Sequence, residues 1–223
     1  MHRALFLSVF AALCWVTAPA RAATIVTTAD SQSSNVICCY QADGVLAPFD
    51  SSLGRLTAII LQVDATSHTG FAVGTNTPLS QEVTFGGTVN IWINGVAYPV
   101  DVSGSRTITG LGLFFTDLIA TGSATFTLDQ SLFSSFVDRF DHCTGASALG
   151  ICASNGITYI FPDVTPAGSS WAVVGGTDTR AHYTLRYVFA PVPEPATWAM
   201  MLLGFAGIGL AVRKRATARP EVA

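Results

Sequence analysis

The 223-residue sequence contains a single lysine, Lys214, close to the C-terminus. Between Ala23 and Pro195 there are 11 Asp and 2 Glu against 5 Arg, which gives this stretch a formal charge of −8. Nucleic acids and anionic membranes both present negative phosphates, and an acidic segment without lysine is repelled by them. We therefore expect no nucleic-acid partner.

The sequence also lacks the short signatures that mark many enzymes. It has no G-x-S-x-G elbow, no P-loop, no H-E-x-x-H zinc motif and no EF-hand loop. The densest polar cluster, Asp138 to His142, is more typical of a solvated helix end than of a metal site. We expect a protein without catalytic residues, cofactor or metal. A secreted sugar-active enzyme, which needs two opposed carboxylates, is an alternative.

Cysteine is scarce, and its distribution suits an oxidising compartment. Cys14 lies in the apolar N-terminal stretch, and the four others are Cys38, Cys39, Cys143 and Cys152. An even number outside the cytoplasm indicates disulfides. Only eight residues, mostly small, separate Cys143 from Cys152, so we predict a bridge between them. The pairing of Cys38 and Cys39 stays open.

The N-terminus has the parts of a secretory signal peptide. Arg3 precedes an apolar stretch from Ala4 to Ala18, and Ala20 and Ala22 form a small-x-small cleavage site around Arg21. We predict that residues 1–22 direct export through the Sec machinery and are removed after Ala22.

Residues 23–191 are predicted to form one all-β domain outside the cytoplasm. Short segments of alternating polarity recur between Gly, Asn, Asp, Ser and Pro residues. Asn94-Gly95 between two such segments is a strong hairpin signal, and Pro99 places the second strand at an edge or a bulge. The predicted strands are Thr24–Thr28, Asn35–Tyr40, Leu56–Ala65, Gln81–Phe85, Thr88–Ile93, Val96–Val102, Ser123–Leu128, Gly156–Phe161, Trp171–Val174 and His182–Phe189.

One short helix is predicted at Ser131–Phe140, where apolar residues recur at helical spacing. Many short strands and one helix indicate an antiparallel β-sandwich, with a jelly roll as an alternative. The predicted core consists of Ile59, Leu61, Val63, Phe85, Ile91, Ile93, Phe126, Leu128, Tyr183, Leu185 and Tyr187.

The C-terminal segment reads as a membrane-directed tail. After Pro193-Glu194-Pro195 comes a charge-free stretch of 17 residues, Ala196 to Val212, and then Arg213, Lys214 and Arg215. A helix of this length approaches the thickness of a bilayer core. Trp198 suits the headgroup layer, and the basic cluster acts as a membrane stop on the cytoplasmic side. We predict a transmembrane helix within residues 192–215 and a cytoplasmic tail at residues 216–223.

Pro193-Glu194-Pro195, Trp198-Ala199-Met200-Met201 and Arg213–Arg215 together resemble the PEP-CTERM sorting signal of Gram-negative bacteria, in its PEP-x-x-WAMM form. The resemblance covers Val192 to Arg215. It implies that an exosortase reads Pro193, Glu194 and Pro195 and removes the tail. The protein would be anchored transiently in the inner membrane and then delivered to the cell surface or an exopolysaccharide matrix.

A second resemblance concerns the start of the body. Leu46 to Thr57, with Phe49-Asp50 and Leu53-Gly54, resembles the opening motif of the choice-of-anchor domains that often precede sorting tails. It implies a β-sandwich surface domain without catalytic residues. We therefore expect a non-catalytic structural or adhesive role. A lectin-like module that uses Trp92 or Trp171 is an alternative.

Overall fold

The computed structural model describes residues 22–35, 40–138, 141–143, 149–192 and 195–217. The strands are β1 (Ala23–Ser34), β2 (Tyr40–Ala42), β3 (Gly44–Leu46), β4 (Gly54–Ile93), β5 (Val96–Thr127), β6 (Asp141–His142), β7 (Leu149–Asn155), β8 (Phe161–Pro162) and β9 (Ser169–Pro191). The helices are two 3-10 turns, Ser51–Leu53 and Gln130–Phe136, and α1 (Pro195–Thr217).

The strands pair in the order β2-β1-β9-β4-β7-β3, while β5 and β8 also pair with β4, and β6 pairs with β7. Every registered strand pair is antiparallel. The prediction of an antiparallel all-β domain with one short helix is thus confirmed. The two-layer sandwich, with its jelly-roll variant, stays a prediction.

The chain divides into two compact units. The larger unit comprises Ala23–Ser51 and Leu56–Phe189 and contains most of the sheet. The smaller unit includes Ser52–Arg55 together with the chain from Ala190 onward, and therefore contains α1.

The largest element is a hairpin formed by β4, with 40 residues, and β5, with 32. Asn94 and Gly95 form its turn with φ values of 50° and 79°, as the Asn-Gly signal predicts. Among the described residues β5 pairs with β4 alone, so Pro99 lies on an edge strand, as predicted. The segments predicted as strands along this stretch do lie in β4 and β5, but the breaks expected between them are absent, because Gly- and Thr-rich segments that resemble turns continue the strands.

This hairpin bends back on itself. Thr158 accepts a hydrogen bond from Ser67 at its carbonyl oxygen (2.5 Å) and donates one through its hydroxyl to the carbonyl of Thr88 (3.1 Å). Ser67 and Thr88 both belong to β4, and a straight strand would hold them about 70 Å apart. The bend lies between Ser67 and Thr88, in the stretch that contains the register shift between Thr75 and Leu79. Odd-numbered residues of β4 face the core before and after it.

Ten of the eleven predicted core residues are buried, and Phe126 is half-buried against the same cluster. Along β9 the buried positions alternate from Thr177 to Phe189, which confirms the period-two pattern read from the sequence. Phe49, which the core prediction omitted, packs its ring against Tyr187 and Phe189 at 5.6 and 5.2 Å. The core is therefore completed by a residue from the irregular segment after β3.

The predicted helix at Ser131–Phe140 is a 3-10 helix that ends at Phe136. Asp129 caps it by accepting a hydrogen bond from the backbone N–H of Ser131 at 2.8 Å, and this bond lowers the pKa of its carboxyl.

Three of the strand predictions need correction or stay untested. Gly156 to Ile160 is not a strand, β7 was not predicted, and most of Asn35–Tyr40 lies outside the described residues.

The C-terminal prediction of a helix is confirmed by α1, but its transmembrane character is not. Within the part of the chain that the structure describes, no helix is sufficiently long and apolar to span a bilayer. The charge-free stretch of 17 residues gives about 26 Å of helix, against about 30 Å of hydrocarbon.

Candidate functional site

None of the side chains described in the tail helix α1 is buried. The helix begins at Pro195. Proline suits the first helical turn because an N–H at that position would have no intrahelical acceptor, so its absence costs no hydrogen bond. Every side chain that is described in α1 (198–210, 212 and 213) is exposed, including Trp198 and Leu203, which is 67 % exposed. An exposed apolar helix surface of this kind is suited to contact with another molecule or a lipid phase.

The chain just before the tail is held by the segment that leads into β4. The backbone N–H of Val192 donates to the carbonyl of Leu53 at 3.2 Å. Gly54 follows with φ of 149°, and a Cβ atom there would overlap the carbonyl oxygen of Ala190. Only glycine combines this backbone conformation with such a close approach. Close contacts thus hold the chain at the end of β9, which is at Pro191.

The other predicted sorting and processing residues are only partly visible. Pro193 and Glu194 lie outside the described residues, as do the side chains of Lys214 and Arg215, whereas Arg213 is exposed. Ala20 also lies outside them, and Ala22 is an exposed residue directly before β1.

Comparison with known protein families identifies the tail: residues 191–215 match the family model described as the PEP-CTERM protein-sorting motif. The tail is a PEP-CTERM motif. A search of the curated proteins finds no match to the chain. The motif indicates an exported protein that an exosortase targets and that is sorted to the cell surface.

The predicted disulfide is present near β7. Cys143 and Cys152 are bonded, with their Cα atoms 5.1 Å apart, and Cys143 is buried. Cys152 lies in β7, opposite Val45 of β3. The bridge therefore ties the segment after β6 to the sheet. Cys38 and Cys39 lie outside the described residues.

Sequence reasoning missed a buried polar cluster between β1, β7 and β9. Ser31 donates to the side-chain oxygen of Asn155 and shares a 2.5 Å hydrogen bond with the hydroxyl of Tyr183. The Asn155 amide donates to the carbonyl of Thr179 at 2.9 Å. Burial raises the pKa of the Tyr183 phenol, so it stays neutral and can share this bond. No sequence signal pairs Ser31 with Asn155, because 124 residues separate them.

The Asp138 to His142 cluster has a structural role where it is described. Asp138 adopts a positive φ of 47° and accepts hydrogen bonds from the backbone N–H (3.1 Å) and hydroxyl of Ser51. The backbone N–H of Asp138 donates to the carbonyl oxygen of Phe49 at 3.0 Å. No group of three potential metal ligands occurs in the described ranges.

The two tryptophans considered for sugar stacking differ in accessibility. Trp171 packs edge-on against Phe71 with ring centroids 5.6 Å apart, and its indole N–H donates to Ser169 at 3.0 Å. Trp92 is 38 % exposed and lies over Gly156, where an added Cβ would be 2.9 Å from its ring. Trp171 thus belongs to the edge of the core, and Trp92 retains an accessible ring.

An open groove of about 510 Å³ lies on the outer face of β1, β9 and β4. Its side chains are almost all polar. The lining consists of Asp30, Ser31, Gln32, Ala42, Asp64, Thr66, Arg180, Ala181 and His182. The ring nitrogen Nδ1 of His182 lies 2.7 Å from the Asp30 carboxylate.

Proposed function

We propose that the protein is an exported surface or extracellular-matrix protein that has a non-catalytic structural or adhesive role among exopolysaccharide. Residues 1–22 serve as a signal peptide for the Sec machinery, and residues 23–191 form a sandwich-type domain. Residues 192–215 hold the precursor at the inner membrane until an exosortase removes them, and residues 216–223 stay on the cytoplasmic side.

The PEP-CTERM tail carries this proposal. Its exposed apolar helix supports a transient membrane-bound stage, because such a surface avoids water by associating with lipid or with a membrane enzyme. The acidic, lysine-free body supports solubility outside the cell after release. Val192, which is bonded to Leu53, lies within the matched motif and directly after β9.

A sugar-active enzyme is less well supported by the groove. A glycosidase needs one carboxyl group sheltered from water so that it stays protonated. Asp30 is 81 % exposed and pairs with His182, and Asp64 is exposed as well. We therefore do not propose a catalytic role for Asp30 and Asp64.

Processing is tested by replacing Pro193, Glu194 and Pro195 with alanine in the full-length protein. We expect this variant to fold and be exported but to keep its tail, and to fractionate with the inner membrane. A matched control replaces Thr217 and Arg219, which lie after the basic cluster, and should be processed normally. Intact-mass analysis of membrane, surface and medium fractions measures both. A triple-alanine protein at the surface with the normal mature mass would contradict the proposal.

A further inference from the structure

We propose that the groove between Asp30 and Asp64 is a binding site for a neutral, hydroxyl-rich saccharide chain. This inference rests on the proposed function, because it assigns the contact through which the exported domain attaches to exopolysaccharide.

The groove is built by neighbouring strands in fixed register. β1 and β9 are paired, with Asp30 opposite His182 and Gln32 opposite Arg180. β4 lies on the other side of β9 and supplies Asp64 and Thr66. Successive side chains on a strand alternate between faces, so these six point away from the core. The register therefore places polar groups from three strands side by side.

Part of this surface is preorganised by its own hydrogen bonds. Asp178 accepts one from the Gln32 amide and one from Nε of Arg180, each at 2.9 Å. His182 is oriented by its contact with Asp30. Groups that are already held in place lose less conformational entropy when a ligand binds.

Several donor and acceptor atoms in the groove have no partner among the described residues. Neither Asp64 nor the hydroxyl of Thr66 has a hydrogen-bond or ion-pair partner in the described part of the chain. Arg180 uses only Nε for Asp178, which leaves its two terminal nitrogens available as donors. Nε2 of His182 is likewise unengaged. The groove thus offers acceptors and donors close together.

This combination matches the hydroxyl groups of a saccharide. Each sugar hydroxyl both donates and accepts, so it can donate to Asp64 and accept from Arg180. Two carboxylates disfavour an anionic chain, and the guanidinium disfavours a bare cation. A volume of about 510 Å³ falls in the range of small-ligand sites.

Among the described residues that line the groove none is aromatic, and this limits the expected affinity for a saccharide. Without a stacking platform, a single site binds weakly through hydrogen bonds that compete with water. Several copies of the protein on one repetitive polymer would still bind firmly through multivalency. Weak single sites of this kind suit attachment to a polymeric matrix better than they suit the capture of a free sugar.

The test uses the full-length protein in a detergent without a sugar headgroup. Neutral hexasaccharides of glucose, galactose and mannose are titrated by calorimetry, beside a hexagalacturonate and calcium chloride. We expect at least one neutral hexasaccharide to bind, and Asp64→Ala to weaken it by at least about tenfold. Glu82→Ala is the matched control, because Glu82 is an exposed, unpartnered carboxylate elsewhere on β4. It should bind like the unaltered protein.

Four results would overturn the proposal: no binding of any neutral hexasaccharide, equal binding by Asp64→Ala, preference for hexagalacturonate, or binding of calcium alone. The processing experiment described above, which measures the intact mass of the protein in cell fractions, distinguishes failure of this proposal from failure of the proposed function. A correctly cut surface protein that binds no sugar refutes the groove only. Sugar binding by a protein that keeps its tail refutes the processing proposal only.

Discussion

Gly54 packs so closely on Ala190 that a methyl group at position 54 would overlap the carbonyl oxygen of Ala190. The adjacent Leu53 accepts a hydrogen bond from the N–H of Val192. Leu53, the last residue of a 3-10 turn, and Gly54, the first residue of β4, therefore hold the end of β9 at the point where the PEP-CTERM match begins.

Gly54→Ala should lower the free energy of unfolding by about 2–3 kcal/mol, because it adds both backbone strain and a steric overlap. Gly112→Ala is the control, since Gly112 also has a positive φ, 75°, but no atom lies near its added Cβ. It should cost only about 1 kcal/mol. Urea denaturation measures both, and equal losses would show that the contact with Ala190 contributes nothing.

Two buried tyrosines should respond in opposite ways to loss of their hydroxyl. The Tyr187 hydroxyl donates to the carbonyl of Ala47 at 2.9 Å, so Tyr187→Phe should destabilise by about 1 kcal/mol. The Tyr98 hydroxyl is buried without a partner among the described residues, and burial raises its pKa. Tyr98→Phe should therefore be neutral or stabilising by up to about 1 kcal/mol. Chemical denaturation tests the pair, and a clear loss in Tyr98→Phe would argue for a partner in solution.

Stability should fall in alkaline solution. Burial raises the pKa of both Tyr183 and Tyr187, so the folded chain keeps their protons where the unfolded chain releases them. Above the ordinary tyrosine pKa of about 10 the unfolded state binds fewer protons, and the free energy of unfolding decreases with rising pH. Below that pH both states keep these protons, so the two tyrosines do not make the free energy of unfolding depend on pH.

The measurement is the free energy of unfolding from about pH 8 to about pH 11, together with tyrosinate absorbance. Tyr187→Phe removes one of the tyrosines whose pKa is raised, a group that includes Tyr98, and should make the alkaline decline shallower. An unchanged slope in that variant would mean that other groups cause the decline.

Loss of the Cys143–Cys152 bridge should cost about 2–3 kcal/mol, the loop-closure contribution expected for a sequence separation of 9. The double variant Cys143→Ser and Cys152→Ser, compared with the unaltered protein by denaturation without reductant, measures this cost. Peptide mapping without reduction should recover the two cysteines in one linked fragment. Free thiols at both positions in the secreted protein would refute the bridge.

Features that depend on neighbouring residues could be predicted from the sequence. Asn94-Gly95 forms its turn because only a few residue types adopt positive φ twice in succession. Cys143 and Cys152 meet because the loop between them is short. The buried positions of β9 follow from alternation alone.

Features that depend on distant residues could not be predicted. Alternation predicts which face of β4 is buried, but the same pattern fits two short strands or one long strand that bends. The packing of Gly54 on Ala190 joins positions more than a hundred residues apart, and an isolated glycine resembles any turn glycine. The groove brings Asp30 and His182 together across 152 residues, and this pairing exists only through the register of β1 and β9.

The sequence by itself determined where the protein is sent and that its body is antiparallel β, since sorting motifs are read as linear segments and strand alternation is a local property. The tertiary structure decided the continuous, bent β4–β5 hairpin, the buried Ser31–Asn155–Tyr183 cluster and the polar groove. Strand register and chain bending minimise the free energy of the whole sheet, in which each contact depends on residues far away in the sequence. A local sequence pattern does not contain these long-range contributions to the free energy.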